Sequence, residues 1–169
     1  MSAVEPLNTN VRISLVDQIH DSPLAIVIAA TGGGVASVSD LLLVPGASRT
    51  VLEALIPYSF ESLSGFIGRS PDQAVSQEVA ESMALACLAR AEELIQSSIP
   101  VAGVSCTAAL VTDRRRRGDN RAHISIATRE GVVSVNLSLE KGLNDRATED
   151  RIVSDNILLA ISEAAQVAE

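Results

Sequence analysis

The chain has 169 residues, of which 47% are apolar but only 2% aromatic, so its core must be built from alanine, valine, leucine and isoleucine. This length suits one domain with a sizeable core. A formal net charge of −8 disfavours nucleic acid and anionic membrane surfaces as partners. No apolar run approaches the ~20 residues that span a bilayer, and the two cysteines form neither a disulfide framework nor a zinc motif. We therefore expect a reduced, cytoplasmic protein without a metal or cofactor.

The N-terminal part of the chain divides into a polar segment and a helix. Residues 1–10 lack the pattern of a signal peptide and are expected to be flexible, ahead of one domain over residues 11–169. Val11 to His20 carries apolar residues on one face of a short helix. Pro23 ends this helix, because proline disfavours helical backbone in the residue before it.

The next segment predicts a strand, a turn, a helix and a second strand. Leu24 to Ala30 is a short, uninterrupted apolar run, which is typical of a strand buried on both faces. Thr31 to Gly34 predicts a glycine turn that opens a helix from Val35 to Leu43, so that a helix N-terminus lies beside the end of a buried strand. Pro45 to Ser48 predicts another turn, and Thr50 to Tyr58 the second strand.

Two helices and a third strand are predicted next. Phe60 to Ile67 predicts a short helix, and Ser76 is the expected N-cap of a long helix from Gln77 to Gln96. The apolar run from Val101 to Val111 predicts a buried strand, and the strongly polar residues from Asp113 to Asn120 predict a loop after it.

The last segment predicts a hairpin and a helix. Ala122 to Thr128 and Val132 to Leu139 alternate in polarity around Glu130-Gly131, which indicates an antiparallel hairpin. Asp145 to Ala168 predicts a final amphipathic helix. Parallel crossovers combined with one hairpin predict an α/β fold, a three-layer α/β/α sandwich with a mixed, mostly parallel sheet.

Several short motifs, taken in their order and spacing, resemble a known family. They are Ala30-Thr31-Gly32-Gly33, Val44-Pro45-Gly46-Ala47-Ser48, Tyr58-Ser59, Val75-Ser76-Gln77-Glu78-Val79-Ala80 and the strand from Val101 to Ser105. Together they resemble the C-terminal domain of the competence-damage protein CinA over about Val11 to Ala165. That family includes the stand-alone nicotinamide-nucleotide amidases. The resemblance therefore implies a hydrolase-like domain with a nucleotide site, and a homo-oligomer, typically a dimer.

The residues that perform the family's amide hydrolysis are absent from this sequence. The resemblance aligns the family's nucleophilic serine with Ala29 and a neighbouring glutamate with Ile28. Leu63 stands at the lysine that activates the serine, and Phe60 replaces an asparagine. A methyl group has no lone pair that a base can expose, so Ala29 cannot attack an amide.

The family's glycine-rich third motif has also diverged. Its pattern Thr-Gly-x-Ala-Gly-Pro corresponds here to Ser105-Cys106-Thr107-Ala108-Ala109-Leu110, which keeps a hydroxyl but loses both glycines and the proline. Glycines let backbone N–H groups approach a phosphate closely, so their loss weakens the case for a phosphate loop there. We expect the family's serine–lysine chemistry to be absent.

The candidate ligand-binding residues lie at predicted strand ends and in the basic run Arg114 to Arg117. They are Thr31, Gly32, Gly33, Gly34, Tyr58, Ser59, Ser105, Thr107 and Arg117. The glycine turn offers backbone N–H groups at a helix N-terminus to a nucleotide or phosphate, and arginine binds phosphate in a bidentate manner. The structural alternatives are a tight turn without a ligand and a solvated loop. Arg146, which opens the last helix, is expected to form a surface salt bridge.

Three hypotheses about function remain open. The favoured one is a non-catalytic domain that binds a nucleotide-like anion or acts as an interaction module. The second is an active nicotinamide mononucleotide amidohydrolase with a relocated nucleophile. The third is a structural or assembly protein with a vestigial pocket. The candidate catalytic groups are Cys106, Ser105 and Tyr58, with Ser37 and Thr31 as further replacement nucleophiles. Cys106 needs a cationic neighbour that lowers its pKa, and free cysteine is more often a small buried apolar residue.

Overall fold

Helices and strands alternate along most of the chain in the computed structural model, which describes residues 2–169 and leaves Met1 outside the described residues. In chain order the elements are α1 Thr9–Asp21, β1 Ala25–Thr31, α2 Ala36–Leu43, α3 Ala47–Thr50, β2 Val51–Leu55, α4 Phe60–Ile67, α5 Gln77–Leu94, β3 Val101–Ala109, β4 Asn120–Thr128, β5 Gly131–Leu139 and α6 Arg146–Ala168. Across residues 2–169, no helix has both the length and the apolar composition needed to cross a bilayer.

The strands form one mixed sheet in the order β2-β1-β3-β4-β5. β1 pairs in parallel with β2 and β3, whereas β4 pairs antiparallel with β3 and β5. Every strand except β4 therefore runs in the same direction. The predicted mixed sheet and its antiparallel hairpin are confirmed, although the turn consists of Arg129 and Glu130 and Gly131 already belongs to β5. The strand predicted from Leu24 is an interior strand, although β3 rather than β1 occupies the middle of the sheet.

Helices cover both faces of the sheet, as predicted for a three-layer sandwich. α1, α2 and α6 pack on one face, where Ile26 and Ile28 of β1 enter the larger apolar cluster. α4 and α5 pack on the other face, where Val27 and Ala29 enter a second cluster. Because successive side chains of a strand point to opposite faces, the uninterrupted apolar run of β1 supplies both clusters.

Local capping explains where several elements begin. The Ser76 hydroxyl accepts a hydrogen bond from Val79 N at 3.1 Å, which confirms it as the N-cap of α5. The turn predicted over Pro45 to Ser48 is shorter than expected. Gly46 adopts a left-handed backbone with φ +109°, and the single-turn helix α3 begins at the next residue, Ala47. β2 ends at Leu55, earlier than predicted, since Pro57 has no N–H to donate to a sheet.

The N-terminal segment contacts α6 through hydrogen bonds from two of its backbone N–H groups. Ala3 N donates to Asn156 Oδ1 and Leu7 N donates to Asp155 Oδ2, both at 2.8 Å. α1 also begins at Thr9, two residues earlier than predicted. Asp155 and Asn156 are buried polar groups on α6, and buried polar groups need hydrogen-bond partners. The N-terminal backbone supplies them.

Candidate functional site

The carboxyl ends of β1 and β3 lie side by side, and the chain leaves them in opposite directions. β1 lies between β2 and β3 in the sheet. After β1 the chain continues to β2 on one side, and after β3 it continues to β4 on the other side, so the strand order changes direction between β1 and β3. Open α/β sheets bind ligands in the crevice outside the carboxyl ends of their strands at such a point. The glycine turn from Thr31 to Gly34 and the N-terminus of α2 lie here, which makes this edge the candidate site.

The N-terminus of α2 is occupied by a carboxylate from α6. Asp150 Oδ1 accepts hydrogen bonds from Gly34 N at 2.7 Å and Val35 N at 3.2 Å, and its Oδ2 accepts one from Ala36 N at 3.1 Å. Ser154 Oγ donates to the same Oδ2 at 3.2 Å. These are the N–H groups that an anion at the predicted cradle needs, so a ligand there must displace Asp150.

Close packing accounts for the glycines of the turn. A Cβ on Gly32 would lie 1.9 Å from the carbonyl oxygen of Ala108 in β3, and Gly32 adopts φ +77°. Gly34 adopts φ +83°, and a Cβ there would lie 2.6 Å from Ile157 Cδ1 in α6. A side chain at Gly33 would meet Leu110 at the same distance. Backbone conformation and close packing therefore require glycine at positions 32 and 34 with or without a ligand, whereas at Gly33 the clash is only with the flexible end of the Leu110 side chain.

The hydroxyls of Ser105 and Thr107 point away from the crevice. Both side chains are buried, Ser105 Oγ donates to Ala80 O at 2.6 Å, and Thr107 Oγ1 donates to Ala74 O at 2.8 Å. These acceptors belong to α5 and to the segment before it, on the face of the sheet opposite α6. The alternation of side chains along β3 puts both residues on that face. They therefore anchor α5 in this structure.

The candidate replacement nucleophiles are buried in packed surroundings. Burial raises the pKa of the Cys106 thiol well above its usual range, and the Asp150 carboxylate raises it further. Burial likewise raises the pKa of Cys87 to about 12, with a smaller contribution from Glu53. Since the thiolate is the nucleophile, these shifts oppose catalysis by either cysteine. Ser37 is also buried, and its Oγ donates to Gly34 O at 2.6 Å.

The positions that the resemblance aligns with the catalytic serine and lysine share one apolar cluster. Ala29 is fully buried and Leu63 is 2% exposed, and both pack in the cluster that contains Val79 and Met83 of α5. Ile28, at the position of the glutamate, faces the opposite cluster beneath α6. Ala29 and Leu63 are thus surrounded by apolar side chains in this structure.

Arg146 lies in the crevice and binds neutral oxygens rather than a surface carboxylate. Its Nη2 donates to Gly32 O at 2.9 Å and to Tyr58 Oη at 3.2 Å, and its Nη1 donates to Val111 O at 3.1 Å. The predicted salt bridge is therefore wrong, because the first turn of α6 lies over the glycine turn. Tyr58 is 60% exposed. The neighbouring Ser59 accepts from Ser62 N as the N-cap of α4.

A basic cleft of about 650 Å³ opens between the β3–β4 connection and the segment after β5. Its lining includes Arg114, Arg115, Arg116, Asn120 and Lys141. Arg117, the member of this basic run that was predicted to bind a ligand, is exposed and lies outside the lining. Between residues 113 and 121 the loop carries five arginines against two aspartates, so its local charge is positive in an acidic protein.

A hydrogen-bond network orders one side of this basic cleft. Arg116 Nη2 donates to Leu110 O at 3.1 Å and to Asn120 Oδ1. Asn120 Nδ2 donates to the buried carboxylate of Glu149 at 3.0 Å, and Lys141 Nζ donates to Arg116 O at 2.7 Å. The sequence signal for Glu149 is its spacing three residues before Ile152 of the apolar stripe, which puts an acidic group on the buried face of α6.

Basic residues without an acidic partner concentrate at this end of the sheet. Within residues 2–169, the basic side chains with no carboxylate within 4.0 Å are Arg114, Arg115, Arg116, Arg117, Arg121, Lys141 and Arg146. All of them lie in or next to the connections that follow β3 and β5. Every other arginine of the described chain forms an ion pair, so this end of the sheet holds all the described basic side chains that lack one.

Solved structures share this fold, although no protein-family model and no curated protein matches the sequence. The competence/damage inducible protein CihA from Agrobacterium tumefaciens gives a TM-score of 0.70 at 19% identity, over 92% of this chain and 95% of that chain. A CinA superfamily protein from Klebsiella pneumoniae gives 0.71 at 12% identity, over 95% and 99%. A CinA superfamily protein from Enterobacter cloacae gives 0.70 at 13% identity, over 100% and 99%. The predicted resemblance is confirmed at the level of the fold.

Proposed function

We propose, from the fold that this chain shares with CinA superfamily proteins, that it binds a phosphate-bearing anion in the basic cleft and does not hydrolyse amides. The observation that carries the proposal is the concentration of unpaired basic side chains at the carboxyl end of the sheet. In a chain of net charge −8, a positive cleft attracts small anions while the rest of the surface repels them.

The side chains of Arg114 and Arg115 support a phosphate ligand. Both line the basic cleft, and neither has a hydrogen-bond or ion-pair partner in the described part of the chain. Their guanidinium groups are therefore free to form bidentate contacts with phosphate oxygens. A volume of about 650 Å³ lies within the ordinary range of small-molecule pockets and has room for a mononucleotide.

Asp150 favours the basic cleft over the glycine turn as the anion site. Its carboxylate already binds the N–H groups of Gly34, Val35 and Ala36. A phosphate at the same N–H groups would meet that negative charge at short range and be repelled. An anion in the basic cleft meets arginine and lysine side chains instead.

The absence of amide hydrolysis is proposed from the apolar packing of the aligned catalytic positions. Ala29 and Leu63 supply neither a nucleophile nor a base, and both are buried. Cys106 is buried beside a carboxylate that disfavours its thiolate. None of these groups meets the requirements of acyl transfer.

Titration calorimetry with inorganic phosphate and a panel of mononucleotides, including nicotinamide mononucleotide, tests the proposal. We expect binding to the parent protein that weakens as salt rises, because exposed charge contacts are screened. The double variant Arg114→Ala/Arg115→Ala should bind about tenfold more weakly or worse, since it loses two charge-assisted contacts. The matched control Arg69→Ala/Arg129→Ala removes two exposed arginines that pair with Glu78 and Glu92 elsewhere, and should bind like the parent.

Two outcomes would contradict the proposal in different ways. If no ligand binds at millimolar concentration, or if the Arg114→Ala/Arg115→Ala variant binds like the control, the basic cleft is not the site and the vestigial-pocket hypothesis gains support. An ammonia assay on nicotinamide mononucleotide should show no release above a control without enzyme. Turnover that disappears in Cys106→Ala would establish the relocated nucleophile instead.

A further inference from the structure

An apolar groove of about 640 Å³ lies at the end of the sheet opposite the basic cleft. Its floor includes buried side chains beside the starts of β1 and β3 and near the end of β4, namely Leu24, Val101 and Ile126. Its walls are the C-terminal half of α6 and the hairpin of β4 and β5. The groove is thus an unfilled part of the layer between the sheet and α6.

Small side chains on α6 leave this space unfilled. Ile157 and Ile161 of α6 are fully buried in the larger apolar cluster against the sheet. The face of α6 that lines the groove instead carries Ala160, Ala164 and Ala168, which recur every four residues along the helix. Because the isoleucines set the separation between helix and sheet, the alanine methyl groups are too short to close it. A packed interior would normally fill such a gap.

The rim of the groove exposes aliphatic surface to solvent. Val133 of β5 is 67% exposed and Val167 of α6 is 87% exposed, and both line the groove. None of the described residues that line it is aromatic, so its apolar contacts suit branched aliphatic side chains better than a stacked ring. Apolar surface that is exposed around a groove marks a site of interaction with a partner.

The charged residues of the groove favour a cationic partner. Its lining holds two acidic residues, Glu130 and Glu163, and one basic residue, Arg129. Arg129 donates from its Nε to Glu92 Oε1 and from its Nη1 to Ile99 O, both at 3.3 Å, so its charge is compensated outside the groove. Glu130 forms no ion pair within residues 2–169. A cationic group beside the groove therefore meets a carboxylate, whereas an anionic group is repelled.

We propose that this groove binds an amphipathic helix of a partner protein that carries aliphatic side chains on one face and lysine or arginine beside them. Ala160 to Ala168 covers eight residues of α6, or ~12 Å of helix axis. Two turns of a bound helix present aliphatic anchors at i, i+3 or i+4, and i+7 over the same length. The alanines let the bound helix approach α6 closely. A lysine or arginine at its edge then pairs with Glu130.

This site does not rest on the proposed function. The basic cleft lies in the connections that follow β3 and β5, whereas the groove lies at the starts of β1 and β3, at the other end of the same strands. The two sites share no lining residue. Binding at one site can therefore be lost while binding at the other is retained, and separate variants distinguish the two proposals.

Fluorescence anisotropy with synthetic helices tests the proposal on the full chain. The probe is a fluorescein-labelled peptide of ~18 residues with leucine on one face and lysine on the other, since much shorter helices are marginal in water. A second probe carries glutamate in place of every lysine. We expect saturable binding of the leucine–lysine helix at micromolar concentration and at least about tenfold weaker binding of the leucine–glutamate helix.

Two variants locate the binding in the groove. Ala164→Phe should weaken binding of the leucine–lysine helix at least about tenfold, because its ring fills the space between α6 and β5. Glu130→Lys should weaken the same helix about threefold and strengthen binding of the leucine–glutamate helix, because it reverses an exposed charge. Glu61→Lys on α4 is the matched control, since it changes the net charge equally on the other side of the sheet. This control should bind both helices like the parent.

Several results would overturn the proposal. One is a parent protein that binds neither helix, including a parent whose groove is covered by a second copy in sedimentation experiments. Another is equal affinity for the two helices, which would show that charge does not select the partner. Equal effects of Glu130→Lys and Glu61→Lys would show that only the net charge matters. Glu130 lies exposed in the hairpin turn, so this comparison decides the question whether or not Ala164→Phe folds.

Discussion

Leu63 is a buried side chain of the cluster beneath α5. It lies at the position that the resemblance aligns with a lysine, and it packs against Val79 and Met83 in the cluster that also holds Ala29. A lysine at this place needs either a charged partner or access to water. The cluster offers neither, because its buried members are apolar. The surroundings of Leu63 have thus become those of a core position.

Restoring the two family residues should therefore destabilise the protein without creating an amidase. We expect Leu63→Lys to reduce the free energy of unfolding by about 3 kcal/mol or more, because it removes buried apolar volume and buries a charge. The Ala29→Ser/Leu63→Lys variant should release no ammonia from nicotinamide mononucleotide, since small errors in position remove much of a rate. Urea unfolding and an ammonia assay measure the two effects.

The control for this substitution is Leu43→Lys, at a leucine that is 79% exposed at the end of α2. Its unfolding free energy should change by no more than about 0.5 kcal/mol. Equal stability of the Leu63 and Leu43 variants would show that the side chain at position 63 reaches solvent. Ammonia release from the double variant would show that a serine at position 29 and a lysine at position 63 suffice for amide hydrolysis.

At the scale of secondary-structure elements, a side chain of α6 caps the N-terminus of α2. α2 has no side-chain cap of its own, and its first N–H groups need acceptors from outside the helix. Asp150 supplies both of its carboxylate oxygens from the first turns of α6. The contact fixes the glycine turn between the two helices and the end of β3. The helix N-terminus is thus part of the packing of the fold.

Asp150→Ala should destabilise the protein by about 1–2 kcal/mol, as the loss of a capping carboxylate does in other helices. The amides of residues 34–36 should also exchange faster with solvent, because they lose their acceptor. Chemical denaturation and hydrogen exchange by NMR measure the two effects. Asp17→Ala on the exposed face of α1 is the control and should stay within about 0.5 kcal/mol of the parent. Unchanged exchange at residues 34–36 would contradict the capping role.

At the scale of the whole molecule, Asp155 joins segments that are distant in sequence. It is fully buried and accepts hydrogen bonds from Leu7 N, from Arg12 Nε at 2.7 Å and from Arg151 Nε at 3.0 Å. Arg151 also pairs with Asp40 of α2. One carboxylate thus connects the N-terminal segment, α1, α6 and, through Arg151, α2. Removing it leaves two arginines without their buried partner.

Asp155→Ala should cost about 3–5 kcal/mol of unfolding free energy, because breaking a buried ion pair leaves uncompensated charge. The control Asp21→Ala breaks an exposed pair with Arg49, whose atoms are 3.5 Å apart, and should cost less than about 1 kcal/mol. Thermal and urea unfolding compare the two variants. The amide of Leu7 should lose its protection in Asp155→Ala alone. Equal losses of unfolding free energy in the two variants would show that the Asp155 network stabilises the protein no more than an exposed ion pair does.

Local sequence patterns determined where the helices and strands lie along the chain, whereas contacts between distant residues determined which groups of the candidate site are free to bind a ligand. The bounds of α4 at Phe60–Ile67, the cap at Ser76 and the hairpin between β4 and β5 follow from periodicity and turn residues, which act over a few positions. The bond from Gly34 to Asp150 spans 116 positions. No local pattern specifies such a pairing, so only the packed α6 reveals that the cradle is filled. The arginine run was visible as a charge pattern, whereas folding decided which of its members line a cleft and which oxygens bind Arg146.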